Sequence, residues 1–336
     1  MMKKTAAVLS LLFCVLFSVK AQDPHFSQFF ASPLTLNPAL TGKFDGTLRV
    51  AGNYRNQWPA FNNVYTTSTL SVDFDILKNK LPDYDTWGVG ILALTDKAGG
   101  GILTNNYLGI STSYHKALDE DGFQQIGIGF QGTYGQKRLD NSKLLFEDQL
   151  TPFGFTGVTQ DVFNTENLNI NYTDLNAGIM YSASTNETNN FYLGASMYHI
   201  NRPKESFKGG NWNIAARTTI SAGGYFLVSD MLTLHTSGIY QVQNKATETV
   251  VGGALAAAID GENESSSNVY GGLWYRVNDA IIPYIGLEFS GLRIGASYDI
   301  NTSSLKSGSQ SRGGMELSVI YIKRPAGFKG IPCPKF

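Results

Sequence analysis

The sequence predicts an all-β protein: a transmembrane antiparallel β-barrel of about fourteen strands, preceded by an N-terminal signal peptide. Three observations carry that expectation. Charged residues are only 16% of the 336, while aromatics reach 12% and glycines number 36; ordinary soluble domains have roughly 25% charged residues and about 7% glycine. From Phe44 onward, apolar and polar side chains alternate with a period of two, the signature of strands. Beyond residue 21 no stretch approaches the roughly 18 apolar residues of a spanning helix. At 42% apolar the chain is too hydrophobic for disorder, and a mean hydropathy of −0.13 is too low for a bundle of membrane helices. A formal net charge of −1 gives no field for gathering phosphate backbones, which excludes nucleic acid as a partner.

Residues 1–21 read as the signal peptide. Lys3 and Lys4 precede an apolar run from Ala6 to Val19, and Val19-Lys20-Ala21 sets up cleavage before Gln22. Cys14 follows the bulky Phe13, which argues against a lipoprotein signal. Cleavage removes Lys3, Lys4 and Lys20 and leaves 23 basic against 27 acidic residues. Cys333 is then the one remaining cysteine, so no internal disulfide forms. Residues 22–43 follow as an N-terminal periplasmic or plug segment, 44–323 as the outer-membrane barrel, and 324–336 as a periplasmic tail.

Alternating runs place strands near 44–54, 64–76, 86–95, 105–118, 123–138, 170–185, 190–201, 213–227, 231–243, 247–259, 268–277, 280–290, 291–300 and 313–323. In 190–201, Phe191, Leu193, Ala195 and Met197 oppose Tyr192, Gly194, Ser196 and Tyr198. Most runs reach the roughly 9–11 residues that a tilted spanning strand requires, and bacterial single-chain barrels use even strand counts. Twelve or sixteen strands fit the same pattern, because boundaries read from sequence carry errors of about two to four residues. Polar connectors such as Asp119-Glu120-Asp121-Gly122 supply turn chemistry. Tyr54, Trp58, Tyr65, Trp87, Tyr240, Trp274 and Tyr275, near strand ends, are expected in the interfacial girdles. Outer-membrane lipid is then the medium for the apolar faces. A soluble sandwich with sheet-core aromatics is the competing reading, and long one-face apolar runs with scarce charge disfavour it.

Motifs that suggest chemistry lack their context. Gly127-Ile-Gly129-Phe-Gln-Gly132 matches a dinucleotide fingerprint but lies inside an alternating strand, with no strand-to-helix turn. Ser303-Ser304-Leu305-Lys306 fits S-x-x-K without its companion elements. The four histidines, His25, His115, His199 and His235, show no metal-ligand spacing. Ser113 with His115, and Ser221 with Arg217, share strand faces only at the commonplace spacing of two. No catalytic residue, metal or cofactor is expected. Inward Arg49, Asp73, Asp174, Arg217, Arg276, Glu288, Arg293 and Asp299 are expected to form a charge ladder that fills or lines the lumen.

Three regions offer docking candidates. Residues 22–43 carry Phe26, Phe29 and Phe30 among Pro24, Pro33 and Pro38, which extend a sheet poorly. This segment is expected to pack within or beneath the barrel on the periplasmic side; a disordered leader is the alternative. The long connections 139–169 and 202–212 hold Phe146, Phe153, Phe155 and Phe163, either as docking anchors or folded inward as a lumen plug. In the tail, Pro332 and Pro334 keep Phe336 from closing a final strand. Cys333 and Phe336 are expected to face the periplasm, against the barrel floor or a partner.

Several separated motifs share one resemblance. The start Gln22-Asp23-Pro24-His25-Phe26-Ser27-Gln28-Phe29-Phe30, the run Ser32-Pro33-Leu34-Thr35-Leu36-Asn37-Pro38-Ala39-Leu40-Thr41-Gly42, Leu144-Leu145-Phe146-Glu147-Asp148-Gln149, His199-Ile200-Asn201-Arg202-Pro203, Gly272-Leu273-Trp274-Tyr275-Arg276, Ser297-Tyr298-Asp299-Ile300 and Cys333-Pro334-Lys335-Phe336 together resemble the PorP/SprF family of Bacteroidota. The resemblance implies a non-enzymatic outer-membrane barrel of the type IX secretion and gliding machinery. Its partners would be type IX secretion components and a secreted adhesin or its C-terminal sorting domain, whose export or surface attachment it supports. Asn37-Pro38-Ala39 also resembles an element near the start of fourteen-stranded fatty-acid transporters, so the alternative is an importer of hydrophobic small molecules.

Overall fold

The computed structural model describes residues 22–61, 65–77, 80–160, 168–186, 189–207, 210–259 and 267–324. The wall is built from β1 (Leu48–Gln57), β2 (Tyr65–Ile76), β3 (Thr86–Ala98), β4 (Leu103–Ala117), β5 (Gln124–Leu139), β8 (Asn169–Ser184) and β9 (Asn190–Tyr198). It continues through β10 (Arg217–Ser229), β11 (Leu232–Gln243), β12 (Ala246–Ala258), β13 (Ser267–Arg276), β14 (Ala280–Phe289), β15 (Leu292–Asn301) and β16 (Arg312–Lys323). The two remaining strands, β6 (Leu150–Thr151) and β7 (Gly154–Phe155), form a small hairpin of their own in the long connection after β5. The fourteen wall strands pair antiparallel with their chain neighbours, and β1 closes on β16 from Leu48↔Lys323 to Gln57↔Gly314. Closure removes the exposed edges of an open sheet.

The period-two pattern sorts the two faces. On β4, Ile110 is 68% exposed outward while its neighbour Ser111 is buried inward. Outward Ile285, Phe130, Leu273 and Ile91 repeat this on other strands, and inward positions carry Asn176, Thr219, Gln241 and Ser318. The outside is oily and the interior mostly polar, apart from one buried apolar cluster that includes Met180, Val250, Trp274 and Ile282.

The first strand begins at Leu48, not at residue 44. Phe44 is buried inside with the Arg49 guanidinium 4.8 Å over its ring, so the barrel takes up the chain four residues later than its alternation suggests. Trp274 is a second correction. It lies buried in the lumen, because Tyr275 beside it faces out and adjacent strand residues point to opposite faces. Tyr54, Tyr65, Trp87, Tyr240 and Tyr275 do face outward, and Trp58 meets Tyr65 edge-on at 5.6 Å.

An antiparallel meander gives the barrel two unlike ends. The chain enters β1 and leaves β16 at one, here the terminal end. Connections after β1, β3, β5, β9, β11, β13 and β15 all lie at the other, the loop end, and these include the long 140–168 and 199–216. An arginine at the middle of the lipid face is expected to cost the barrel ~2–4 kcal/mol. Unfolding of Ile110→Arg from lipid vesicles should show that loss; a change within about 0.5 kcal/mol, as at an ordinary water-facing site, would contradict a lipid-facing wall.

Candidate functional site

The lumen is occupied by the chain's own N-terminal segment. The segment makes three short helical turns, Phe29–Ala31, Pro33–Leu36 and Pro38–Leu40, and the last two start on a proline, where a missing N–H costs nothing. Turns this short leave most carbonyls without partners in the helix, and the inward side chains of the wall supply them. Tyr198 OH (2.9 Å) and Gln131 Nε2 (3.1 Å) donate to the Leu34 carbonyl. Arg217 Nη2 donates to Thr35 O at 3.0 Å, and Ser196 Oγ to Leu36 O at 2.7 Å.

Glycines in the wall make room for the following stretch, Asn37 to Gly42. A Cβ on Gly178 would stand 1.9 Å from Asn37 Oδ1, one on Gly129 2.3 Å from Pro38 C and Ala39 N, and one on Gly88 2.3 Å from Thr41 O. Asn37 caps the last turn by accepting from Ala39 N at 2.9 Å, and its Nδ2 donates to Ile179 O at 3.1 Å. Thr41 Oγ1 donates to Ser111 Oγ at 2.9 Å, and Ser113 Oγ donates to the Thr41 carbonyl at 2.5 Å. The Gly127-x-Gly129-x-x-Gly132 pattern thus serves packing: Gly127 faces the His115 ring and Gly129 receives the segment. Ser113, one half of the Ser/His pair noted in the sequence, is occupied by Thr41.

The eight ladder residues fall into four separate clusters, three of which the segment joins. Asp73 accepts from Arg49 Nε (3.0 Å) and Nη2 (2.7 Å) and from the Gly42 N–H (2.7 Å), where φ is +69°. Asp299 accepts from Arg55 and Arg276, each at 2.9 Å, and from Ser27 Oγ at 2.7 Å. Beside it, Glu316 takes the backbone N–H groups of Ser27 and Gln28, each at 2.8 Å. Asp174 lies 3.0 Å from His199 Nδ1, while His199 Nε2 is 2.7 Å from Asp23 and Arg217 is 3.5 Å from the same carboxylate. Glu288 pairs with Arg293 at 2.7 Å, apart from the segment. Arg55, His199, Glu248 and Glu316 were not among the expected residues. Arg55 was within reach of sequence reading, since it shares the inward parity of Arg49 on β1.

The segment begins at the loop end, where Asp23 meets His199, Arg217 and Gln243, and descends to the terminal end, where Gly46 packs on Ile322 and Lys323. It does not lie beneath the barrel. Donors at the loop end of β10 and β11 have their partners in Asp23, which draws the start of the segment up to that rim. Phe26 and Phe29 are buried, and Phe30 stacks on Trp274 at 4.8 Å, so none of the three is available on the surface. Phe153 (91% exposed) and Phe155 point away from the lumen into solvent, and Phe146 is half-buried. Phe163, Cys333 and Phe336, with the signal peptide, lie outside the described residues.

His199 sits between two carboxylates. Burial alone would lower its pKa, but the hydrogen bonds and charges of Asp174 and Asp23 raise it to about 9. For Asp23, burial pushes upward, yet its bond to His199 and the charge of Arg217 hold it well below the usual carboxylate range. At neutral pH the pair is ionic. Burial brings His25, 3.5 Å from Glu248, down to about 4, so its imidazole is neutral there.

Two expectations follow. A raised histidine pKa stabilises the folded form fully below its ordinary value of 6.5, and that contribution disappears as pH rises from 6.5 through about 9. The amount is on the order of 3 kcal/mol, so hydrogen exchange at residues 23–28 should accelerate across this window in the wild type and not in His199→Gln. An unchanged wild-type rate between pH 6.5 and 10, after correction for intrinsic exchange, would contradict the latch. Separately, Gly129→Val places a branched side chain against Pro38 and Ala39. Limited proteolysis should then cut within residues 23–44 while the barrel stays heat-modifiable in gels; full protection of the segment would reject the glycine-lined seat.

The family model for the type IX secretion system membrane protein PorP/SprF matches residues 18–321. No curated protein matches the sequence. Among solved structures, the chain is similar to the CymD monoaromatic hydrocarbon channel (9% identity, TM-score 0.49, covering 88% of this chain and 93% of that one). It is also similar to a Pseudomonas aeruginosa FadL homologue (10%, 0.46, 85% and 92%) and to the KdgM porin (9%, 0.39, 81% and 98%).

Proposed function

The chain belongs to the PorP/SprF family of type IX secretion system membrane proteins, and on that premise we propose that it is a non-enzymatic docking platform for a secreted adhesin. It is a barrel of the bacterial outer membrane. In this reading the loop end faces the cell exterior, and the connections 140–168 and 199–216 receive the adhesin or its C-terminal sorting domain during export or surface attachment. The observation that carries the reading is the contrast between a filled lumen and an apolar rim. The lumen holds the N-terminal segment from one end to the other, whereas Phe153 (91%), Val158 (90%) and Trp212 (74%) stand exposed on the two long loops. Large exposed side chains of this kind anchor protein interfaces. The importer reading calls instead for a continuous apolar passage, whereas the apolar wall residues that face this segment, such as Met180, Trp274 and Tyr284, are packed against its own Phe29, Phe30, Leu36 and Leu40.

Affinity purification of the tagged full-length protein from native outer membranes, followed by mass spectrometry, tests the proposal. A secreted protein with a type IX C-terminal domain should co-purify, and Phe153→Asp combined with Trp212→Asp should reduce its recovery at least fivefold without loss of the folded barrel. Recovery of no such protein, or equal recovery with the loop variant, would overturn the platform role. Uptake of a hydrophobic solute lost on deletion of the gene would favour the importer.

A further inference from the structure

The N-terminal segment leaves part of the lumen open beside it. Between Phe30 and the terminal end of β10 to β15 lies a pocket partly open to solvent, with about 490 Å³ of empty space in and around it, reaching Arg293, the second residue of β15. Its walls are largely ring faces. Phe30 stacks on Trp274 (centroids 4.8 Å apart) and meets Tyr284 edge-on at 5.5 Å. Across the cavity, His235 stacks on Tyr225 at 5.9 Å and meets Tyr270 edge-on at 5.6 Å.

Four of the polar side chains at its margin, Trp274, Ser237, Tyr270 and Arg293, are engaged with one another or with Glu288. Trp274 Nε1 donates to Ser237 Oγ at 3.1 Å. Tyr270 OH donates to Glu288 at 2.5 Å, and Arg293 donates both to the Tyr270 oxygen (3.0 Å) and to Glu288 (2.7 Å). The Arg293 guanidinium also lies 4.7 Å over the Tyr270 ring. A polar ligand that used these four groups would have to break their bonds, and an anion would meet an arginine already neutralised by Glu288. What the cavity offers a ligand is π surface, which favours stacked or edge-on aromatic partners at centroid distances of about 4.5–7 Å.

We propose that this chamber is a binding site for a single aromatic ring, carried either by a free small molecule or by a side chain of a peptide at the terminal end of the barrel. The site is independent of the docking reading, since it lies at the opposite end from the exposed loops. A bound ring touches Phe30, and through it the N-terminal segment, so occupancy and the position of that segment are linked.

The test is a fluorine NMR titration of 4-fluorophenol into the full-length protein in lipid nanodiscs. Saturable binding is expected in the wild type and should weaken at least tenfold in Ala254→Phe, because Ala254 is a buried wall residue whose replacement fills the chamber. Ser237→Phe, at a half-buried inward position whose Oγ faces Trp274, serves where Ala254→Phe does not give a heat-modifiable barrel. Displacement of the probe by N-acetylphenylalanine amide and by a phenylalanine-bearing peptide assigns the site to a side chain; displacement by free phenols alone assigns it to a small molecule. Non-saturable partitioning, equal affinity in the filled variants, or equally good displacement by cyclohexanol would overturn the proposal.

Discussion

The inverted solvent preference of the wall governs the rest of this molecule. Lipid demands an oily exterior, and period two then forces every second residue of every strand inward, where small polar and charged side chains predominate. Those inward groups cannot stay unpaired at low cost once shielded from water. In a wide barrel, water would satisfy them. Here the first mature residues do so, bringing to the lumen the carbonyls of Leu34, Thr35 and Leu36 and the N–H groups of Ser27, Gln28 and Gly42.

Wall and segment are therefore mutually dependent. The short proline-started turns would leave their backbone groups unsatisfied in isolation, and the wall would leave Asp73, Asp299 and Glu316 without several of their donors. Breaking one side of a buried ionic cluster is costly because the partner charge is left behind. The arrangement ties Asp23 at one rim and Gly46 at the other into one unit with the barrel. Between these ties the wall's hydrogen bonds to Leu34, Thr35 and Leu36 are joined by close steric contact, since Gly88, Gly129 and Gly178 leave the space that Asn37 to Thr41 occupy. The two ends of the lumen differ accordingly. At the loop end the segment is held by charge, at His199, Arg217 and Asp299, whereas the space left near the terminal end is walled by aromatic rings.

How much of this was legible before folding differs by feature. The strands were, with ends displaced by a few residues, because alternation is local. The error at β1 arose because Phe44 continues the alternating pattern, yet its ring is held inside by Arg49. Trp274 was misplaced by treating two adjacent aromatics as one girdle, although the pleat sends neighbours to opposite faces. Arg55 and Glu316 were recoverable from parity alone. Their roles were not: Glu316 binds Ser27 across 289 residues of sequence, and nothing local to either announces the other.

The sequence by itself determined the fold class and the alternation that sorts lipid-facing from lumen-facing residues, since that depends only on spacing along each strand, while barrel closure decided that the wall has fourteen strands. The tertiary structure alone decided what stands opposite each inward residue. That choice depends on barrel closure and on the path of the N-terminal segment through it, both of which bring together groups hundreds of residues apart. So the charged positions became four clusters instead of a ladder, Phe26, Phe29 and Phe30 packed within the lumen and not beneath it, and glycines from three separate strands became the seat for Asn37 to Gly42.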